Sequence, residues 1–405
     1  MSSRQIIALR ERVTKEIRLP RSETAYLLVH HSRHLDVRPL GGKVVRVTPR
    51  GYVGTLMTPR CQFEIQPKMS VPNFLWLLGC QTNVESEPRQ ENLSRGRILE
   101  VLVSRLIDLL NEVVGSGLRP DYVQIDEAAR YLQGRLDVAG QLREHPFRKD
   151  KLRCEVSHLT LDTPRNQIPK ATAECLCRSG MLKPELKNRL VSLLQSYGEV
   201  SSVDLDEAMF AAVRRNLLSE SERPLVDLCE LFWQSYWREA NAGMECPSCL
   251  INLEQVFERY CSREIVEAFQ KTGDPRFRVA LQETHSVVGQ GNQAPPCVYR
   301  PDVVIHFENE PIGALDMKWK VPPYPQTDVY QAVSYGAMLP CRWTALVYPG
   351  RSNKLWNYGF AEGDPVLSIY RVRVVGNSDS VQQSLHRFLK HLTQRTARRL
   401  DVLRE

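Results

Sequence analysis

Residues 299–320 read YRPDVVIHFENEPIGALDMKWK, and this stretch decides the C-terminal fold. Asp302 to Phe307 and Ile312 to Trp319 are apolar runs of strand composition. Between them Glu308, Asn309, Glu310 and Pro311 form a polar turn, so the stretch reads as a tight hairpin. With Asn309 at its centre, Asp302 and Asp316 come directly opposite one another. Opposed residues carry Cβ atoms about 4.5 to 5.5 Å apart on one face, where two bare carboxylates repel. Lys318, two residues beyond Asp316, projects from that same face. Two carboxylates and an ammonium therefore converge, an arrangement suited to hold Mg²⁺ and activate water against a phosphodiester. An Asp–Lys pair on a strand is also ordinary salt-bridged surface. Here the flanking VVIHF and IGAL runs are apolar enough to be buried, and charges at the end of a buried strand are costly unless employed.

The surroundings extend this reading. NLEQVFERYCSREIVEAFQ, residues 252–270, is an amphipathic helix with Leu253, Val256, Phe257, Tyr260 and Ile265 on its buried stripe. RFRVAL, DVVIHF, IGALDMKW and WTALVYP read as strands, with a helix at TDVYQAVSYGAML between the last two. A helix, a run of strands, a helix and a further strand make an α/β arrangement with a mixed sheet. On the second helix Gln331 and Tyr335 stand one turn apart on one face, and Thr327 is placed to cap its start. Glu258, on the first helix, is a third candidate acid, equally readable as an exposed helical glutamate.

The chain has 405 residues, enough for two or three domains at roughly 150 residues each. Residues 1–70 read as a short helix followed by β-structure, a small β-rich module. Residues 71–243 are mainly helical: RGRILEVLVSRLIDLLNEVV places Ile98, Leu99, Leu102, Leu106, Leu109 and Leu110 on one face. A loop at EANAGMECPSC leads into the mixed segment, residues 244–405, closed by a basic helix. The fold class is thus a multidomain α+β or α/β chain. Lys and Arg total 54 against 47 Asp and Glu, a mild net +7 compatible with a polyanionic partner. Apolar runs fall short of a membrane span, and the charged N-terminus is unlike a signal peptide, so a cytoplasmic location is expected. The 11 cysteines are expected to be reduced; neither Cys246/Cys249 nor Cys175/Cys177 has an evident second half for a zinc site.

Taken together, RPD, LDMKWK and DVYQAVSYG resemble the core of the PD-(D/E)xK nucleases, and more narrowly the McrC subunit of McrBC modified-DNA restriction systems. GYVGTLMTPRCQFEIQPK is similar to that family's N-terminal strand segment. YLQGRLDVAGQL and EVSHLTLDTPRNQIPKATAECL resemble its central segments, and INLEQVFERYCSREI its nuclease-opening helix. The blocks run in family order from about Gly51 to Tyr335. The resemblance implies a C-terminal PD-(D/E)xK domain in residues 244–405 and partner docking through residues 71–243. It implies Mg²⁺ held by Asp302 and Asp316 with the Met317 carbonyl and, less directly, Glu258. Lys318 would position the attacking water; Gln331 and Tyr335 match a QxxxY motif; Asn166 and Lys170 would be structural or interface residues.

The implied partners are double-stranded DNA and an McrB-like AAA+ GTPase hexamer, which binds GTP itself; this chain carries no Walker A sequence. Arg135 is a candidate contact to that ring. Pro169 interrupts the central helix, which is expected to start at or after it. Two rival readings are a non-catalytic adaptor of the ring and a stand-alone RecB-like repair nuclease. The second often carries an iron-sulphur cluster after the nuclease motif, where this chain has only Cys341.

Overall fold

In the computed structural model the described residues are 4–79, 97–144, 150–215, 222–237, 246, 248–287, 297–320, 322–339, 341, 343–359 and 366–401. Met1–Ile98 packs together with Ser248–Glu405 as one compact unit, and Leu99–Pro247 forms a second. Residues 1–70 therefore share a unit with Ser248–Glu405, most of the expected 244–405 segment.

The chain opens with β1 (Gln5–Arg10) and β2 (Lys15–Arg18), then α1 (Arg21–His30), β3 (Leu35–Gly41), β4 (Val44–Pro49), β5 (Tyr52–Met57), β6 (Cys61–Gln66) and α2 (Val71–Leu77). The helix expected at the very start is strand instead. β1 pairs in parallel with β6 from Gln5↔Cys61 to Arg10↔Gln66, and burial of Ile7 and Leu9 gives it the two-residue period of a strand. A long-range ladder has overridden local preference. Gly54 adopts φ +124, and a Cβ there would meet the Cys249 carbonyl oxygen at 2.2 Å. Only glycine fits that approach.

His31 and His34 are buried, with their Nδ1 atoms 3.4 Å apart. Burial pushes His31 down to about 4 and His34 to about 3, with neighbouring cationic groups adding to it. Both are bases with lowered folded-state values, so their contribution is full above pH 6.5 and is lost as the unfolded chain takes up protons below it. The melting midpoint is expected to fall as pH drops from 6.5 to 4, with a loss of about 3 kcal/mol or more. His34→Gln, which cannot titrate, should flatten that fall in a series of thermal melts.

The second unit begins with α3 (Ile98–Ser116), whose buried face holds all six residues that the spacing selects. It then departs from an all-helical reading: β7 (Asp121–Ala129), β8 (Arg135–Leu136), α4 (Val138–Glu144) and β9 (Leu152–Thr160) form a three-stranded sheet in the order β7-β9-β8. Most residues of these strands are exposed or half-buried on both faces, so no alternating apolar pattern announced them. Gly134 turns into this sheet at φ +66, with Glu155 backbone 2.3 Å from where a Cβ would be.

Helices α5 (Pro164–Arg178), α6 (Pro184–Leu194), α7 (Glu207–Arg215) and α8 (Arg223–Phe232) follow. α5 starts at Pro164, and Pro169 lies inside it, contrary to expectation. Ile168, Pro169, Ala171 and Thr172 are buried, and that packing offsets one missing backbone hydrogen bond. Asn166 Nδ2 donates to the carbonyls of Arg119 and Leu161, and Lys170 Nζ donates to those of Tyr197 and Val200. Both residues serve as structural ties.

The last part contains β10 (Cys249–Asn252), α9 (Leu253–Gln270), β11 (Phe277–Leu281), β12 (His285–Val287), β13 (Cys297–Tyr299), β14 (Val303–Phe307), β15 (Glu310–Met317), α10 (Gln326–Met338), β16 (Trp343–Gly350), β17 (Lys354–Tyr358), β18 (Val366–Arg373) and α11 (Ser378–Asp401). β10 joins the N-terminal sheet through β5. Six strands in the order β11-β14-β15-β16-β18-β17 form a mixed sheet, parallel at β15–β16 and β16–β18. α9 packs on β11 and β15, and α10 on β15 and β16. Val304, Ala314, Tyr335, Leu339 and Cys341 form one core beneath α10.

Asn252 caps α9 by accepting from Glu254 N. α10 begins one residue early at Gln326, so Thr327 lies within its first turn and makes no cap. Cys175 and Cys177 are free thiols. Much of the loop expected over residues 239–249 lies outside the described residues. Among the described residues no helix is long and apolar enough to cross a membrane.

Candidate active site

The hairpin β14–β15 closes through Glu308 and Asn309 at φ 52 and 72, the left-handed pair of a two-residue type I′ turn. Val303↔Leu315, Val304↔Ala314 and Ile305↔Gly313 follow the register expected from a centre at Asn309. The register then slips by one at a bulge, His306 facing Pro311, whose ring nitrogen has no proton for the ladder. Asp302 precedes β14 and bonds across to the end of β15: its Oδ2 accepts from Met317 N at 2.6 Å. Gln282 N donates to the Asp302 carbonyl at 3.0 Å.

Asp316 is 2% exposed, which makes its charge expensive. Its Oδ2 lies 2.7 Å from Lys318 Nζ, an ion pair that does not satisfy that oxygen with a well-aimed hydrogen bond. Burial raises the pKa of Asp302, and the charges of Asp316 and Glu258 raise it further. Burial likewise raises Asp316, against the lowering influence of Lys318 and the Asp302 side chain. For Lys318 burial favours the neutral amine, but Asp316, Asp302 and Glu254 outweigh it, and the net pKa is raised. Lys318 is therefore a lasting cation.

Glu258 lies within electrostatic reach of both aspartates; burial raises its pKa, and a hydrogen bond from Gln282 opposes the rise. It does not join them in a ligand trio, since among the described residues no group of three or more His, Cys, Asp or Glu side chains is arranged to hold a metal. Gln331 Nε2 donates to the Tyr335 hydroxyl at 2.6 Å, and that hydroxyl donates to the Arg300 carbonyl at 3.4 Å. Burial raises the Tyr335 pKa, so it remains a neutral phenol.

Several neighbours escaped the sequence reading. Lys320 Nζ donates to Asp328 Oδ1 at 2.7 Å, and the Tyr348 hydroxyl donates to Asp328 Oδ2 at 3.0 Å. The alternation Asp316, Lys318, Lys320 was the available signal for this one. Trp319 Nε1 donates to buried Glu11 Oε1 at 2.7 Å, and Arg12 Nη2 donates to the Trp319 carbonyl at 2.6 Å. Those contacts span more than 300 positions, beyond the reach of any local pattern.

Half-buried Asp302 and buried Asp316 fit a hard divalent cation: both are oxygen donors, the charge of Asp316 raises the cost of ionising Asp302, and one oxygen of Asp316 lacks a well-aimed hydrogen bond. With that geometry in place, comparison with known proteins is decisive. The family described as McrBC 5-methylcytosine restriction system component matches residues 47–349. The chain belongs to the McrBC family. The McrBC match covers Gly54, Gly134, Glu258, Asp302, Asp316, Lys318, Gln331 and Tyr335.

The fold agrees. A structure described as the refined half-complex from a tetradecameric assembly of Thermococcus gammatolerans McrB AAA+ hexamers with bound McrC is 17% identical, with a TM-score of 0.53, covering 96% of this chain and 100% of its own. The cryo-EM structure of the Thermococcus gammatolerans McrBC complex is 18% identical at a TM-score of 0.42, covering 65% of this chain and 88% of its own. No curated protein matches.

Proposed function

We propose that this McrBC-family chain is a Mg²⁺-dependent DNA endonuclease subunit, with a PD-(D/E)xK centre in residues 244–405, that cuts modified foreign DNA when an AAA+ GTPase partner activates it. The observation that carries the reading is the convergence of Asp302, Asp316 and Lys318 at the ends of two buried strands. Asp302 and Asp316 would hold the Mg²⁺, with the Met317 peptide beside them. Bound there, the metal supplies positive charge at the phosphodiester and lowers the pKa of water.

The chain's own groups do the rest. Lys318, kept protonated, holds the attacking water by hydrogen bond and offsets negative charge gathering on the phosphate. Tyr335, oriented by Gln331 and by the Arg300 carbonyl that takes its one proton, holds a neutral hydroxyl at the edge of the site. Trp319, clasped by Glu11 and Arg12, fixes the backbone just after Lys318. A side chain held from both neighbours loses less freedom on meeting substrate.

The structure sharing this fold is described as McrB AAA+ hexamers with bound McrC. By that likeness the proposed partner is an McrB-like AAA+ hexamer; the sequence resemblance to the family implies that this partner binds the GTP and that this chain stimulates its hydrolysis. Docking through residues 71–243 has support in Tyr122, Tyr131, Leu132 and Leu159, which expose 58% or more of their surface in or beside the β7–β9 sheet. Apolar side chains so exposed are typical of surfaces that meet another protein.

Cleavage of methylated and unmethylated plasmid tests the proposal, using the purified chain with Mg²⁺, GTP and the partner supplied together or singly. Cutting by the complete mixture alone supports the reading. Cutting by the chain alone would make it a stand-alone nuclease, and accelerated GTP hydrolysis without cutting would make it an adaptor.

A further inference from the structure

Beside the carboxylates one residue adopts a backbone that its side chain disfavours. Gln282, at the end of β11, has φ +48, in the left-handed region suited to glycine. Non-glycine residues persist there only when surrounding contacts hold them, and such strain gathers at functional sites. Three contacts hold Gln282. Its N–H donates to the Asp302 carbonyl at 3.0 Å. Its carbonyl accepts from Arg300 Nε at 3.2 Å. Its side-chain Nε2 donates to Glu258 Oε1. One residue thus links the candidate metal-binding aspartate, the arginine whose carbonyl receives the Tyr335 hydroxyl, and the glutamate whose charge both aspartates feel.

We infer that Gln282 is a positioning residue of this centre: it fixes the Glu258 carboxylate so that its charge adds to that of Asp302 and Asp316 in attracting the divalent cation. This rests on the metal-dependent reading above. Glu258 stands on α9 and Asp302 just before β14, the strand paired with β11, and no other hydrogen bond to the Glu258 carboxylate is present among the described residues. Without the Gln282 amide, the glutamate is free to turn to solvent, and the aspartate pair loses that part of its field. Outer partners of this kind commonly set metal affinity by about 10 to 100-fold.

Glycine is the informative substitution, because it suits φ +48 and removes the side chain with its amide while keeping the main-chain bonds to Asp302 and Arg300. Half-saturating Mg²⁺ is measured on the full-length chain by thermal shift for wild type, Gln282→Gly, Glu258→Gln and the double variant. Cleavage by the complete mixture is followed against Mg²⁺ in parallel. Expected is an unaltered or slightly higher melting midpoint without metal for Gln282→Gly, with half-saturating Mg²⁺ about 10 to 100-fold higher. The double variant should match Glu258→Gln alone, because both changes remove one interaction. Gln282→Glu, which sets a second carboxylate against the first, should be worse than Gln282→Gly. Equal Mg²⁺ dependence of Gln282→Gly and wild type, or an effect that adds in full to Glu258→Gln, would overturn the role of Gln282 alone. A wild-type chain indifferent to Mg²⁺ would overturn the metal reading beneath it.

Discussion

Lys318→Met is expected to lower DNA cleavage by the complete mixture at least about 10³-fold, while the chain still folds and still stimulates the partner's GTP hydrolysis. Methionine keeps most of the apolar stem and removes only the ammonium. That ammonium sits 2.7 Å from Asp316 Oδ2. Its loss has two effects that act together. The phosphate loses the ammonium paired with Asp316, and Asp316, already disfavoured by burial, retains its proton more readily and binds metal less well. Added Mg²⁺ should therefore recover only part of the activity. Lys318→Arg should recover little, since the planar guanidinium cannot take the place of a compact ammonium in a closed site. Single-turnover cleavage against Mg²⁺ concentration, with GTP hydrolysis as the folded-state control, reads all of this.

The largest expected effect on stability is at Gly54. Gly54→Val places a branched side chain at φ +124 and drives its Cβ into the Cys249 carbonyl, a backbone atom of the paired strand that cannot step aside. Strain of about 1 to 3 kcal/mol from the backbone and a similar cost from overpacking add to roughly 4 kcal/mol. In a unit of this size that corresponds to a fall in the melting midpoint of about 10 °C. Gly42 is the matched control. It also has positive φ, +60, but a Cβ there meets nothing within 4 Å. Gly42→Asn should cost little, because asparagine tolerates that region. Differential scanning calorimetry of both variants separates a close approach from a mere turn.

The contrast between Gly54 and Lys318 shows what the sequence could disclose. The hairpin was legible because its apolar flanks, polar turn and paired charges all obey local rules, and the three rungs from Val303 to Ile305 carry the register those rules imply. The convergence of Asp302, Asp316 and Lys318 followed from it. The bond from Met317 N to Asp302 Oδ2 did not, since it depends on Asp302 leaving the strand. Glu258 was visible as a helical acid, but its hold by Gln282 was not: a glutamine in a short exposed segment carries no pattern.

Parallel pairing of β1 with β6, the exposed β7–β9 ribbon and the clasp of Trp319 by Glu11 and Arg12 stayed hidden for a common reason. Each is decided by tertiary neighbours or by solvent on both faces, and periodicity reports neither. Pro169 misled in the opposite direction. The local rule forbids it in a helix, yet burial of the surrounding face keeps α5 intact through it.

The most direct test of the nuclease centre is Asp316→Ala in the complete mixture of chain, partner, GTP and Mg²⁺, with plasmid cleavage and GTP hydrolysis read in the same tube. The site described here predicts cleavage lost by about 10³-fold or more and stimulated hydrolysis retained. Cleavage that survives Asp316→Ala would contradict it, and would place the cutting centre elsewhere.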